Sequence, residues 1–233
     1  MRIAICRLTL HENVFFATRE IGRLYETERY LHNYALTYAL GLARAPYYHA
    51  QQTPAYQSQL APLNQAGIYV TPARPIAVSF ALSTFKYASN TYHVEMGKAQ
   101  RNTPTYGRLK ELAVNSQFEF AVLLADGAAV PRWPQWIRLG LWLGKAKLEM
   151  SDLLIAKHTQ TRTQQAAYPL NPLDMPTTTL QNIAVYDLIS MPPVSLLDRA
   201  EVLGEGWEVT LDGVSRWFPA DLAYRFGEEV TPT

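Results

Sequence analysis

The sequence contains little that would support covalent cross-linking or membrane insertion. A single cysteine, Cys6, in 233 residues excludes an intramolecular disulfide and a thiolate zinc cluster. No uncharged apolar run approaches the ~20 residues that a membrane span requires. Met1 to Leu10 lacks the pattern of a secretory signal, because Arg2 and Arg7 flank a very short apolar core. We therefore expect a cytoplasmic protein without membrane contact, and Cys6 to be a buried thiol.

Motifs of catalysis and metal binding are also scarce. The five histidines lie far apart, with no spacing typical of metal ligands; they are His11, His32, His49, His93 and His158. No nucleophile elbow or paired-carboxylate pattern is present, and the middle of the chain has too few acids for a two-metal nuclease site. The sequence thus predicts no metal, no cofactor and no catalytic residue. General acid–base catalysis by one histidine with a tyrosine or lysine stays open, because such partners meet only in space.

One glycine-punctuated segment superficially resembles a phosphate-binding P-loop. Residues 140–145 read Gly-Leu-Trp-Leu-Gly-Lys, but the two glycines are one residue too close and Ala146 replaces the hydroxyl residue that would hold magnesium. What is left is a segment with three cations: Arg138, Lys145 and Lys147. Glycine lets a backbone approach a phosphate closely, so RNA contact is one interpretation. A β-bulge at Gly140 beside a solvated sheet edge is the other.

Acidic residues are absent from a long stretch, and the charge is separated along the chain. No Asp or Glu occurs between Arg29 and Val94. Residues 29–173 contain fourteen basic and six acidic side chains, a balance of +8, whereas residues 174–233 contain three and ten, a balance of −7. Eleven of the fourteen tyrosines lie between Tyr25 and Tyr106. Cations among aromatic rings suit single-stranded nucleic acid, although any one of these tyrosines could equally be a core residue.

Hydrophobic patterning indicates an α+β protein with many strands and one clear helix. The helix is predicted over 28–42, capped by Thr27. The predicted strands are 2–10, 76–85, 118–125, 136–142, 145–150, 183–189 and 207–211. Residues 44–75 are interpreted as loops with short extended pieces. The polar, basic stretch 86–110 is predicted to leave the sheet as a long hairpin.

Three segments resemble the type I-D members, called Csc-one, of the CRISPR-associated Cas-five family in the RAMP superfamily. The first runs from Asn13 through Leu42, the second from Asn102 to Leu112, and the third combines Trp136-Ile-Arg-Leu-Gly with Lys145-Ala-Lys. The resemblance covers most of residues 1–150. It implies one ferredoxin-like, RRM-related RAMP domain over 1–233, in which 86–110 is a β-hairpin insertion called a thumb. The charge count adds that 174–233 is an acidic C-terminal part of this domain.

The resemblance also implies a function and a set of RNA-binding residues. Proteins of this family bind and cap the 5′ handle of the CRISPR RNA in a surveillance complex called Cascade, for antiviral defence. They contact the backbone and large subunits of that complex, with target DNA nearby. Carried over to this sequence, the residues toward RNA are Arg19, Arg23, Lys86, Lys98, Arg101, Asn102, Tyr106, Arg108, Lys110, Arg138, Lys145 and Lys147. Because RNA would be repelled by the acidic part, we expect 174–233 to face protein or solvent.

Two other functions remain compatible with the sequence. One is a metal-independent endoribonuclease of the same superfamily that processes CRISPR RNA, since some relatives cleave RNA with a Tyr, Lys and His set. That set has no clear counterpart in this chain. The other is a soluble α+β enzyme whose basic middle binds an anionic small molecule.

Overall fold

The structure is a computed structural model that describes residues 1–43, 45, 54–86 and 106–227. In these ranges the chain is predominantly β. The strands are β1 (Arg2–Leu10), β2 (Arg19–Ile21), β3 (Leu24–Glu26), β4 (Ile68–Val70), β5 (Arg74–Ala77), β6 (Phe80–Lys86), β7 (Tyr106–Leu112), β8 (Gln117–Leu124), β9 (Trp136–Leu139), β10 (Gly144–Met150), β11 (Leu154–Ile155), β12 (Lys157–Gln165), β13 (Ile183–Ile189), β14 (Leu196–Leu211) and β15 (Val214–Pro219). The helices are α1 (Asn33–Ala39), α2 (Tyr56–Leu60), α3 (Pro62–Gln65) and α4 (Thr177–Gln181). None of them is both long and apolar enough to cross a membrane.

A seven-stranded central sheet carries the largest core. Its order is β4-β8-β1-β10-β9, with β5 beside β8 and β11 beside β1. Successive side chains of β1 point to opposite faces of the sheet. Cys6 and Leu8 lie in one core, which also contains Leu36 of α1. Ile3 and Ile5 enter a second core on the other face. Both faces of β1 are therefore covered, which accounts for its nearly continuous apolar sequence.

The C-terminal sheet consists of β12, β14 and β13, with β15 pairing to the second half of β14. A buried ion cluster joins it to the central sheet. Glu119 of β8 accepts hydrogen bonds from Arg216 of β15 at 3.2 Å, from Arg74 of β5 at 2.7 Å and from Tyr168 at 2.9 Å. Burial alone would raise the pKa of the Glu119 carboxyl, but these hydrogen bonds and the two arginine charges hold it below its usual value. The carboxylate is thus fully paired, as a buried charge requires.

The third sheet, which we call the hairpin sheet, has the order β2-β3-β7-β6. The β2–β3 pair is a tight hairpin, and β6 and β7 form a second, wider one. The two hairpins join through β3 and β7, which run parallel. A parallel pairing across about 80 residues of sequence cannot be inferred from local patterns, and the sequence analysis did not predict it.

The predicted helix is present but shorter than expected. It covers Asn33–Ala39, and the residue that caps it is His32, whose Nδ1 accepts from the backbone N–H of Tyr34 at 3.2 Å. The prediction of Thr27 as the cap was wrong. Its hydroxyl instead exchanges hydrogen bonds with the backbone of Phe16, at 3.1 and 2.9 Å, and so connects two loops.

Most predicted strands are confirmed, with some corrected bounds. The predicted strand 76–85 is two strands on different sheets, β5 and β6, and the predicted strand 136–142 ends at Leu139. Within 44–75, the described part is more regular than predicted and contains α2, α3 and β4. The analysis missed β12, because its sequence, Lys-His-Thr-Gln-Thr-Arg-Thr-Gln-Gln, is entirely polar. Cys6 is buried as predicted, and burial raises the pKa of its thiol.

Candidate nucleic-acid interface

The base of the predicted excursion is a regular antiparallel ladder. Strands β6 and β7 pair from Phe80 with Leu112 to Lys86 with Tyr106. The connecting residues 87–105 lie outside the described ranges, and so do three of the predicted RNA-binding residues: Lys98, Arg101 and Asn102. Because Lys86 pairs with Tyr106, this connection begins and ends at the same end of the β6–β7 pair.

Several predicted residues share one face of the hairpin sheet. Tyr106 and Arg108, which are exposed, and Lys110, which is half-buried, alternate along β7 with buried residues, so the three point to the same side. Lys86 of β6 pairs with Tyr106 and therefore lies on this side too. Glu26 of β3 pairs with Lys110 on one side and with Arg19 of β2 on the other, so Arg19 lies on the same face. We call this set, Arg19, Lys86, Tyr106, Arg108 and Lys110, the basic face.

The charges of the basic face are only partly neutralised by its own sheet. Lys110 Nζ lies 3.4 Å from Glu26 and 4.4 Å from the centre of the Phe80 ring. Arg19 lies 3.8 Å from the same Glu26. Among the described residues, Lys86 and Arg108 have no carboxylate within ion-pair distance. Two cations are thus held in place by their neighbours while two are available for an external anion.

Arg23 lies outside the ladder but next to the basic face. It is exposed in the turn between β2 and β3, where its backbone carbonyl accepts from the N–H of Arg108 at 2.8 Å. The backbone of Arg23 is therefore attached to the sheet at the level of Arg108. Arg19 and Arg23 were predicted to precede the helix, and both belong to the β2–β3 hairpin.

Three further predicted residues form a separate basic group on the β9–β10 hairpin of the central sheet. Arg138 donates to Glu12 at 3.2 Å and to the carbonyl of Leu143 at 3.0 Å. Lys145 Nζ lies 4.1 Å from the centre of the Trp136 ring, and Lys147 Nζ lies 2.7 Å from Glu149. All three side chains leave the same face of β9 and β10, and each is in contact with a neighbour of its own chain.

The glycines of this hairpin approach protein backbone. A Cβ on Gly140 would lie 2.6 Å from the carbonyl oxygen of Phe15, and one on Gly144 would lie 2.6 Å from that of Asn13. Gly140 also has a φ of +76° in the turn after β9. Close packing against residues 13–15 therefore explains both glycines, without a bound phosphate and without the β-bulge that the sequence left open.

The tyrosine-rich region is mostly interior. Of its seven described tyrosines, Tyr30, Tyr34 and Tyr69 are buried and Tyr106 is the exposed one. The sequence analysis missed Phe80, which is 39% exposed on β6 and supports Lys110. The period-two spacing of 106, 108 and 110 was the available signal for the face. That Phe80 lies on this face could be found only from the register in which β6 pairs with β7.

Histidines and possible metal ligands do not gather in the described part of the chain. No group of three His, Cys, Asp or Glu side chains there has the arrangement of a metal site. His32 is buried, and its Nε2 has no hydrogen-bond partner among the residues that the structure describes. His158 contacts Glu205 at 3.3 Å, and the His11 ring meets Trp136 at 4.9 Å. His49 and His93 lie outside the described residues.

Comparison with known proteins identifies a family. No curated protein matches the chain. Among solved structures, a chain of the type III-B Cmr-beta complex, seen by cryo-EM bound to cognate target RNA and AMPPnP, is similar with a TM-score of 0.44 and 9% identity, over 91% of this chain and 86% of that one. Residues 1–227 match the family described as type I-D CRISPR-associated protein Cas5/Csc1. The match confirms the resemblance seen in the sequence and supports a role in a CRISPR effector complex. The chain belongs to the type I-D Cas5/Csc1 family of CRISPR-associated proteins.

Proposed function

We propose that this protein is a non-catalytic subunit of the type I-D surveillance complex that binds and caps the 5′ handle of the CRISPR RNA. The observation that carries the proposal is the basic face. Two of its cations, Lys86 and Arg108, have no carboxylate partner in the described part of the chain, and they lie beside the exposed ring of Tyr106. Cations that contact phosphates beside a ring that stacks on an unpaired base are the usual means of holding single-stranded RNA.

We further propose that residues 86–110 are the thumb of a ferredoxin-like RAMP fold. The ladder of β6 and β7 supports this, since it forms a paired base for the insertion and brings Lys86 and Tyr106 together where residues 87–105 begin and end. In this proposal Lys98, Arg101 and Asn102 belong to the thumb and extend the basic face along the RNA. Arg19 and Arg23 contact the handle or the neighbouring subunit.

The basic group on β9 and β10 would contribute a second stretch of RNA contact. Arg138 and Lys145 retain exposed surface beside Trp136, although Glu12 and Glu149 offset part of the charge. Such contacts add affinity without sequence specificity, because phosphates are the same at every position. The proposed partners are the backbone and large subunits of the complex, with target DNA close to the thumb.

A binding experiment tests this function. The affinity of the protein for a repeat-derived RNA with the 5′ handle is compared with that for an RNA of equal length without it. We expect preference for the handle, and we expect Lys86→Ala/Arg108→Ala/Lys110→Ala to weaken binding about tenfold or more. The control replaces three exposed cations elsewhere, Arg132, Lys157 and Arg162, by alanine. Equal losses in the two triple variants, or no preference for the handle, would contradict the proposal.

A further inference from the structure

The outer strand of the C-terminal sheet, β13, is unusually exposed for its composition. Its sequence is Ile-Ala-Val-Tyr-Asp-Leu-Ile, and the five residues from Ala184 to Leu188 are all exposed. Val185 is 59% accessible, Tyr186 49% and Leu188 62%. Because neighbouring residues of a strand point to opposite faces, apolar side chains are exposed on both sides of β13.

The hydrogen-bonding edge of β13 is also open. The strand pairs with β14, and no other described strand pairs with it. Natural edge strands are usually protected by lysines, prolines, bulges or a covering element. The strand β13 has a register irregularity on each side of Val185, but it contains no lysine and no proline. The single charge of β13, Asp187, forms an ion pair with Arg199 and so gives little protection. An apolar strand with an open edge is a template for the addition of another strand.

The charges around this edge decide which kind of molecule suits it. In the described pairing of β13 with β14, three acids lie on β13 or opposite it, Asp187, Asp198 and Glu201, and the one cation there, Arg199, is paired with Asp187. Val185 pairs with Glu201, which places an apolar and an acidic side chain next to each other. A polyanion such as RNA would be repelled here, whereas a segment with apolar and basic residues would find a partner for each.

We propose that β13 is a docking edge for an extended, basic segment of another protein subunit, which adds to the C-terminal sheet as a strand. This inference rests on the proposed function in one respect, since it takes the partner to be another subunit of the complex. The basic face and β13 belong to different sheets, so RNA binding and protein docking are separate properties of the chain.

The test uses the chain co-expressed with the other type I-D subunits and a CRISPR RNA. We expect Val185→Lys/Leu188→Lys to reduce incorporation into the complex about tenfold or more, because it puts two cations against a basic partner. The matched control is Val214→Lys, at a valine that is 50% exposed on β15. We expect the control to assemble normally, and both variants to keep the wild-type melting temperature and RNA affinity.

A second measurement identifies the occupant. Hydrogen exchange of the amides from Ala184 to Leu188 should slow on assembly and stay unchanged when RNA alone is added. Unchanged exchange on assembly, protection by RNA alone, dimerisation of the isolated chain through β13, or normal incorporation of the double variant would each overturn the proposal. If the chain assembles through β13 but shows no preference for the handle, the proposed RNA function fails while this inference stands.

Discussion

Lys86 lies directly opposite Tyr106 in the ladder that closes the described end of the β6–β7 hairpin. A cation and an exposed ring are thereby fixed side by side where residues 87–105 begin and end. Among the described tyrosines of the tyrosine-rich region, Tyr106 is the exposed one, at 51%, and it is the ring that our proposal assigns to RNA.

Replacing Tyr106 should separate base stacking from charge. Tyr106→Ala is expected to weaken RNA binding by about 1–3 kcal/mol, the usual range for one stacked base, whereas Tyr106→Phe keeps the ring and should bind nearly as well as wild type. Fluorescence anisotropy with a labelled handle RNA measures both. If the phenylalanine variant loses as much affinity as the alanine variant, the ring does not act by stacking.

Replacing a glycine by alanine should affect stability at Gly144 and not at Gly204. Gly144→Ala would bring a methyl group to 2.6 Å from the carbonyl oxygen of Asn13, whereas at Gly204 in β14 a Cβ would meet nothing within 4 Å. We expect Gly144→Ala to lower the free energy of unfolding by about 1–3 kcal/mol and Gly204→Ala to leave it nearly unchanged. Denaturant unfolding of the two variants measures these free energies. Equal free energies of unfolding would show that residues 13–15 do not pack closely against this turn.

A buried carboxyl should give stability a distinctive pH dependence. Asp174 is fully buried and accepts hydrogen bonds from Asn33, Tyr34, Tyr69 and Asn171, at 2.7 to 3.1 Å. Burial raises its pKa to about 7, despite these donors, from an ordinary value of 3.8. The folded state therefore holds this proton when the unfolded state has lost it, and the contribution of Asp174 to stability falls as pH rises from about 4 to about 7.

Asp174→Asn isolates that contribution, because asparagine resembles the protonated carboxyl and does not titrate. We expect the stability of the variant relative to wild type to rise between pH 5 and pH 8, by an amount on the order of a few kcal/mol. The comparison is needed because burial lowers the pKa of His32 to about 4, which gives wild-type stability an opposite trend below pH 6.5. A difference between variant and wild type that is constant with pH would show that Asp174 is already ionised in the folded protein.

The endoribonuclease alternative has a direct test. Purified protein is incubated with precursor repeat RNA in the presence of EDTA, and the products are resolved on a denaturing gel. We expect intact RNA, since no counterpart of a catalytic Tyr, Lys and His set was found in the sequence. His11→Ala is the variant to compare, because the His11 ring lies beside Trp136, near the basic group of the β9–β10 hairpin. Site-specific cutting that this substitution abolishes would identify a catalytic subunit.

Local patterns were sufficient for the apolar strands of the fold. The run from Ile183 to Ile189 has the bounds of β13, and the strands β1, β8 and β10 are within one or two residues of prediction. The strand β12 was not predictable in this way, since it is a polar strand whose pairing with β14 supplies its structure. The helix was predicted five residues too early because the role of Thr27 depends on Phe16, which reaches it only in the folded chain.

The sequence indicated which kinds of residue form the candidate interface, but not which of them share one surface. The period-two spacing of Tyr106, Arg108 and Lys110 could have indicated their common side, but Arg19 joins them only through the parallel pairing of β3 with β7. The sequence also grouped Arg138, Lys145 and Lys147 with the others, whereas they belong to the central sheet. How the insertion residues Lys98, Arg101 and Asn102 contribute stays a prediction.

The salt dependence of RNA binding tests the central claim most directly. Each phosphate contact on a single strand contributes about 0.7 to the slope of log affinity against log salt. If the basic face contacts RNA, Lys86→Ala/Arg108→Ala/Lys110→Ala should reduce that slope by about 1.4 relative to wild type, which is the contribution of the two phosphate contacts of Lys86 and Arg108. A slope equal to that of wild type would mean that these three cations contact no phosphate and that the RNA interface lies elsewhere.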